Sequence, residues 1–159
     1  MPSWKHCTRS YPLTLFLQSP YGQVERIREA LDVGAEFDPC SVHSLADALS
    51  HFLKSLAEPV IPPSLFPTME IDSQSIQPWS RRFLELLPPI NYNIFVYMIS
   101  FFRELLLYTE SNRLTATKLA IVCCNCMVKT DAAENEDREV QRKHSLQHVI
   151  SHFLTTAML

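Results

Sequence analysis

Glycine is scarce in this sequence: Gly22 and Gly34 are the only two among 159 residues. That excludes a glycine-rich phosphate cradle and leaves an all-β sandwich without its usual tight turns. The five cysteines (Cys7, Cys40, Cys123, Cys124, Cys126) form an odd set without framework spacing, and no apolar N-terminal run precedes a small-residue cleavage site. A reducing, cytoplasmic setting is the expectation. There is no long Lys/Arg run and the formal net charge is -3, so binding to nucleic acid or to an anionic membrane lacks clustered positive charge. The most apolar stretch, Ile90 to Tyr108, is broken by Asn91, Asn93, Ser100, Arg103 and Glu104, short of the ~20 mostly apolar residues that a bilayer span needs. Neither a P-loop nor a nucleophile elbow is present, so intrinsic enzymatic chemistry has no motif behind it.

What the sequence does hold is helical periodicity punctuated by eleven prolines. With 47% of its residues hydrophobic, a chain of this length buries roughly 70% of its unfolded surface, enough for one domain without disulfides or metals. Val24, Ile27 and Leu31 share one helical face, ended at Asp32 to Gly34. Leu45, Leu49, Phe52, Leu53 and Leu56 define a second helix, with Ser44 and Asp47 placed as a capping-box variant and Glu58-Pro59 as its stop. Val60 to Pro67 reads as an extended connector leading to a turn around Leu65 and Phe66.

A third helix is predicted from Ile76, Trp79, Phe83, Leu84 and Leu87, ended by Pro88-Pro89. The next, started by Asn91 or Asn93, is apolar nearly all round (Ile94, Phe95, Tyr97, Met98, Phe101, Phe102, Leu105, Leu106), which predicts that it is enclosed by the others as the architectural centre. Leu119, Val122, Cys123, Cys126 and Met127 give a helix beginning near Thr115. Leu146, Val149, Ile150, Phe153 and Leu154 give the last, with Asp131 to Glu139 as a charged loop between them. Six such patterns without period-two alternation predict an all-α bundle.

Two clusters invite a chemical reading. Cys123 and Cys126 have C-x-x-C spacing, yet no second pair completes a tetrahedral zinc set, and their place on an apolar face favours core packing. His144, His148 and His152 repeat every four residues but lie opposite the apolar face of the last helix, where a solvated surface is expected without a metal. No metal and no cofactor is predicted.

The segment Val42-His43-Ser44-Leu45-Ala46-Asp47-Ala48-Leu49, followed by Phe52-Leu53-Lys54-Ser55-Leu56-Ala57-Glu58-Pro59-Val60-Ile61, resembles the central motif of Rho GTPase-activating (RhoGAP) domains. Two further blocks agree in order: Leu87-Pro88-Pro89-Ile90-Asn91, and Asn112-Arg113-Leu114-Thr115-Ala116-Thr117-Lys118-Leu119-Ala120-Ile121-Val122. The run Asn93 to Leu106 looks most like the RhoGAP-like module of type II inositol polyphosphate 5-phosphatases, the Lowe-syndrome phosphatase group. The resemblance covers most of residues 15 to 154 and implies an all-α, RhoGAP-like helical bundle over residues 14–159. Residues 1–13, without a clear helical period, read as a divergent or truncated N-terminal segment in place of the family's further helix.

Active members of that family insert an arginine into the GTPase site, where its charge accelerates phosphoryl transfer by about 10³ to 10⁵, roughly 4 to 7 kcal/mol. The matching stretch here is Leu15-Phe16-Leu17-Gln18-Ser19-Pro20-Tyr21-Gly22, with Leu17 or Gln18 in the arginine's place. Lys54 matches a basic residue of the family's GTPase-facing helix, which a solvated helix charge would equally explain. Ser50 replaces the lysine expected one turn earlier. Cys126 replaces the family's late asparagine, with Asn125 one residue away.

The resemblance therefore implies a GTPase-binding surface of Leu17, Gln18, Ser50, Lys54, Asn125 and Cys126. It would engage Rho-family small GTPases of the Rac and Cdc42 type in signal transduction, with little or no GTPase activation. One alternative is an active GTPase-activating protein with a displaced arginine, for which Arg9, Arg26 and Arg28 are the nearest candidates. Another is a peptide-binding scaffold for endocytic adaptors, in which a helix groove holds an amphipathic partner helix. The implied location is cytoplasmic, with recruitment to endosomal or Golgi membranes through partners. No stretch of the sequence carries a phosphatase motif.

Overall fold

A computed structural model describes residues 21–36, 41–67, 71–129 and 136–156. Among the described residues seven α-helices follow one another: α1 (Tyr21–Asp32), α2 (Val42–Ser55), α3 (Ile76–Leu86), α4 (Pro89–Leu106), α5 (Thr109–Asn112), α6 (Ala116–Met127) and α7 (Glu136–Thr155). A 3-10 turn at Pro63–Leu65 lies in the proline-rich connector, where a turn was expected. Among the described residues there is no β-strand.

The helix ends show which local signals won. Gly34 sits at φ 67, the left-handed conformation that closes α1. Its N–H reaches the Leu31 carbonyl at 3.1 Å while the Ala35 N–H reaches that of Ala30 at 2.8 Å, the paired bonds of a Schellman cap. The cap of α2 is Ser41, not the predicted Ser44: the Ser41 hydroxyl oxygen accepts from the Ser44 N–H at 3.1 Å. Ser44 is buried one turn in and donates its hydroxyl to Gln23 Oε1 of α1 at 2.6 Å. Before α3, the exposed Asp72 carboxylate accepts from the Ser75 hydroxyl and from the Ser75 and Gln74 N–H groups. These bonds, led by the one from the Ser75 side chain, hold its pKa below the usual value.

Pro88-Pro89 was expected only to stop a helix, but it also starts one. Leu87 caps α3, and α4 begins at Pro89, two residues earlier than the first asparagine candidate. A proline at the first helical position loses nothing, because its missing N–H would have had no partner there. Asn91 instead anchors the proline-rich connector, its side-chain amide donating to the carbonyls of Pro59 and Val60, both at 3.0 Å. The same connector is held from another side, where the Ile61 N–H meets the Met127 carbonyl at 3.0 Å and Lys129 Nζ bonds the carbonyls of Leu56 and Ala57. Val60 and Ile61 are buried, with the Val60 carbonyl and the Ile61 N–H hydrogen-bonded, and the C-terminal ends of α2 and α6 are locked beside the start of α4.

Two expectations about helix extent are corrected. The predicted loop to Glu139 is helical from Glu136 onward, as the first turn of α7. The short α5 after α4 was not anticipated. It exists because Asn112 folds back, donating to the Leu105 carbonyl at 2.7 Å and accepting from the Leu114 N–H at 2.8 Å.

The largest correction concerns the centre of the bundle. It is α7, packed most extensively on α6 and also on α4 and α3. Leu146, Val149, Ile150 and Phe153 of α7 are wholly inaccessible. By contrast α4 buries only one side (Phe95, Met98, Ile99, Phe102) and exposes Ile90, Tyr97 and Phe101. Phe153 lies against Phe95 at 5.3 Å and Phe83 at 6.0 Å between ring centroids, with Trp79 stacked on Phe83 at 5.2 Å. This aromatic cluster ties α3 and α4 to α7. A second tie is Arg103, which donates to the Thr156 carbonyl at 3.3 Å and joins the C-terminal ends of α4 and α7.

Candidate functional site

Helices α2 and α6 pack side by side, and four of the six predicted GTPase-binding residues lie on them. Ser50 and Cys126 face each other: the Ser50 hydroxyl and the Cys126 thiol are 3.3 Å apart and buried. Two small side chains at this point let the helices approach closely, so the pair is neutral and turned inward. Lys54, four residues after Ser50, is exposed near the same side of α2, since four residues advance a helix by about 40° beyond a full turn. Asn125 is exposed on α6, about 100° round from Cys126. Leu17 and Gln18 lie outside the described residues, as does Arg9. Arg26 folds its guanidinium back to the Gly22 carbonyl at 3.0 Å, and Arg28 pairs with Glu25 at 2.5 Å on the exposed side of α1.

One feature of this surface escaped the reading of periodicity. Leu45, Leu49 and Phe52 were assigned to the core side of α2, but they form an exposed stripe, and of that apolar set only Leu53 is fully buried. The helix instead buries Ser44 against α1 and Ser50 against α6. The stripe lies about 140° to 180° from Lys54 around the helix axis, so α2 shows a cationic edge and an apolar edge on opposite sides. Its signal was present in the sequence as the small residues Ser44, Ala46, Ala48 and Ser50, which mark where helices approach closely.

The cysteine and histidine clusters are placed as follows. Cys123 and Cys124 are completely buried, and the Cys123 thiol lies 3.3 Å from Met127 Sδ. Burial pushes the Cys124 thiol up to about 12, against the opposing pull of the Lys143 charge. Burial likewise holds Cys123 well above its ordinary value, with its cysteine neighbours adding to the effect. A thiol whose pKa is raised on folding stabilises the fold below its unfolded pKa, and that stability is lost as the pH climbs toward the folded value. Since the thiolate is the nucleophile, iodoacetamide applied to the native chain at mildly alkaline pH should leave Cys123 and Cys124 unmodified. Mass spectrometry of the Leu119–Lys129 peptide reads this directly, and both thiols should react once the chain is unfolded.

His144 and His148 are exposed, and His152 Nδ1 lies 3.3 Å from the Thr156 hydroxyl. Among the described residues no group of three His, Cys, Asp or Glu side chains is arranged to hold a metal ion. No described helix is long and apolar enough to cross a membrane.

Comparison with known proteins assigns this geometry. The RhoGAP domain profile matches residues 18–132. Mouse type II inositol 1,4,5-trisphosphate 5-phosphatase is 30% identical over 133 residues, covering 83% of this chain and 13% of that protein. Mouse Rho GTPase-activating protein 25 is 32% identical over 109 residues, covering 62% of this chain and 17% of that protein. The chain thus spans less than a fifth of either relative. Its fold matches the BH domain from GRAF, the GTPase regulator associated with focal adhesion kinase, with a TM-score of 0.71 over 92% of this chain and 82% of that one at 15% identity. With the profile spanning both helices of the candidate surface and the bundle superimposing on such a domain, the chain belongs to the RhoGAP domain family.

Proposed function

We propose that this RhoGAP domain binds Rho-family small GTPases with little or no acceleration of GTP hydrolysis. The observation that supports this reading is the Ser50–Cys126 contact. At the two positions where the family resemblance implies a lysine and an asparagine, the chain has a neutral, buried pair closing the α2–α6 seam. The surface then has Lys54 as its exposed cation on α2, and the sequence Leu17-Gln18, which the resemblance aligns with the finger, supplies no guanidinium. Without a positive charge at the transferring phosphoryl group, most of the ~4 to 7 kcal/mol that a finger supplies is lost.

Docking and catalysis therefore separate, and Lys54 tests the docking half. Lys54→Glu should weaken association with a Rho-family GTPase by about tenfold or more, mostly at low ionic strength, because exposed charges act over about a Debye length. Titration calorimetry of the native chain and the variant checks this; unchanged affinity would remove α2 from the interface. The fold should survive, since Lys54 is exposed and no hydrogen bond or ion pair joins it to another of the described residues.

A second reading rests on the exposed stripe of Leu45, Leu49 and Phe52. Three apolar side chains at helical spacing on one edge of α2 suit the apolar face of an amphipathic partner helix, as in an adaptor peptide. Such a peptide would bind opposite Lys54, so saturating GTPase should leave its affinity unchanged, whereas competition would count against two separate edges.

A further inference from the structure

Ile90, Tyr97 and Phe101 of α4 stand in one outward row, continued by Tyr108 in the turn that follows. Within α4, separations of 7 and 11 residues bring the helix back to within about 20° of its starting direction, and Tyr108 comes directly after the C-cap Leu107. All four side chains are exposed: Ile90 by 75%, Tyr97 by 73%, Phe101 by 43% and Tyr108 by 59%. Half-buried Ile94 and Leu105 line one edge of the row, and exposed Asn93, Ser100 and Glu104 line the other. The face is therefore apolar along its length and carries a single charged flank, which gives a strongly charged partner nothing to grip.

Its spacing and its size indicate what covers it. The row is symmetric about the level of Ile99: Tyr97 and Phe101 lie equally far to either side, and so do Ile90 and Tyr108. A second α4 laid antiparallel across a two-fold axis at that level would set Tyr97 of each copy against Phe101 of the other, and Ile90 against Tyr108. Such self-complementarity is what an isologous contact requires. Counting an aromatic side chain as ~200 Å², the exposed parts of the row amount to roughly 500 Å², and the polar flank brings the face toward the ~800 Å² per partner of a stable interface. The three-residue stripe on α2 is too small for that.

We propose that the outward face of α4 is a homodimer interface in which two copies of this chain pair their α4 helices antiparallel. Light scattering or sedimentation equilibrium of the full chain tests it. The native protein should show twice its 18.3 kDa mass and return to the single mass on dilution. Tyr97→Glu should be monomeric at concentrations where the native chain is dimeric, with unchanged helical circular dichroism. Ile90→Glu, at the end of the row, repeats the test should the first variant misfold. Phe52→Glu, on α2, should stay dimeric. A native chain that remains at 18.3 kDa across a roughly hundredfold range of concentration would overturn the proposal. So would a dimer that persists in folded Tyr97→Glu, or one that dissociates in Phe52→Glu.

Discussion

Phe153→Ala is expected to destabilise the domain by about 3 to 5 kcal/mol, the range for removing a large side chain from a packed core. Phe153 is fully buried in α7, in edge-on contact with Phe95 and tilted against Phe83, so its loss uncouples α3 and α4 from the central helix together. Against a total stability of about 5 to 15 kcal/mol, this is a large fraction, and the melting temperature should fall by roughly 6 to 20 °C. Urea denaturation should show a lower midpoint with little change in slope. Phe52→Ala is the matched control, since an exposed ring on α2, away from the α4 face, should cost no more than about 0.5 kcal/mol. If the two variants cost the same, α7 is not the centre of the bundle.

The second large effect is a gain. Gln18→Arg is expected to raise single-turnover GTP hydrolysis by a bound Rho-family GTPase by about tenfold or more, which corresponds to at least ~1.4 kcal/mol of barrier. The full finger contribution of about 10³ to 10⁵ is not expected. A restored guanidinium must be held in place to within about an ångström to act at full strength, and Ser50 and Cys126 stand where the family resemblance implies a lysine and an asparagine. Leu17→Arg tests the neighbouring register of the alignment. Should neither variant accelerate hydrolysis while GTPase binding is retained, a missing charge at these two positions is not what limits the domain.

How much of this was legible in the sequence depends on which force decided each feature. Helices α1, α2, α3, α4, α6 and α7 were readable because apolar side chains at helical spacing and proline breaks are local signals. The exchange of roles between α4 and α7 was not readable. Hydrophobicity all round α4 permits enclosure without imposing it, whereas α7 is buried by contacts with the preceding α6 and with α4 and α3, which are distant in sequence. The cap of α2 moved from Ser44 to Ser41 for a similar reason: both serines suit a cap, and the tertiary bond from Ser44 to Gln23 decided between them. Asn91 likewise looked like a helix start, and only the fold shows the Pro59 and Val60 carbonyls that it satisfies.

The candidate site divides along the same line. The motif pointed to Ser50, Lys54, Asn125 and Cys126 by position, but only packing shows that Ser50 and Cys126 face one another while Lys54 and Asn125 look outward. The apolar edge formed by Leu45, Leu49 and Phe52 was hidden by the ordinary rule that a leucine stripe faces the core. That rule fails on α2 because small residues, rather than leucines, make its closest helix contacts.

Single-turnover GTP hydrolysis by a Rho-family GTPase, with and without saturating native chain, tests the central claim most directly, with binding measured on the same samples. The account predicts a complex that forms and depends on Lys54, and a hydrolysis rate within a few fold of the GTPase alone. Acceleration approaching the ~10³ of a working finger would contradict it, and its loss in Arg26→Ala would identify a displaced arginine within α1 as the source.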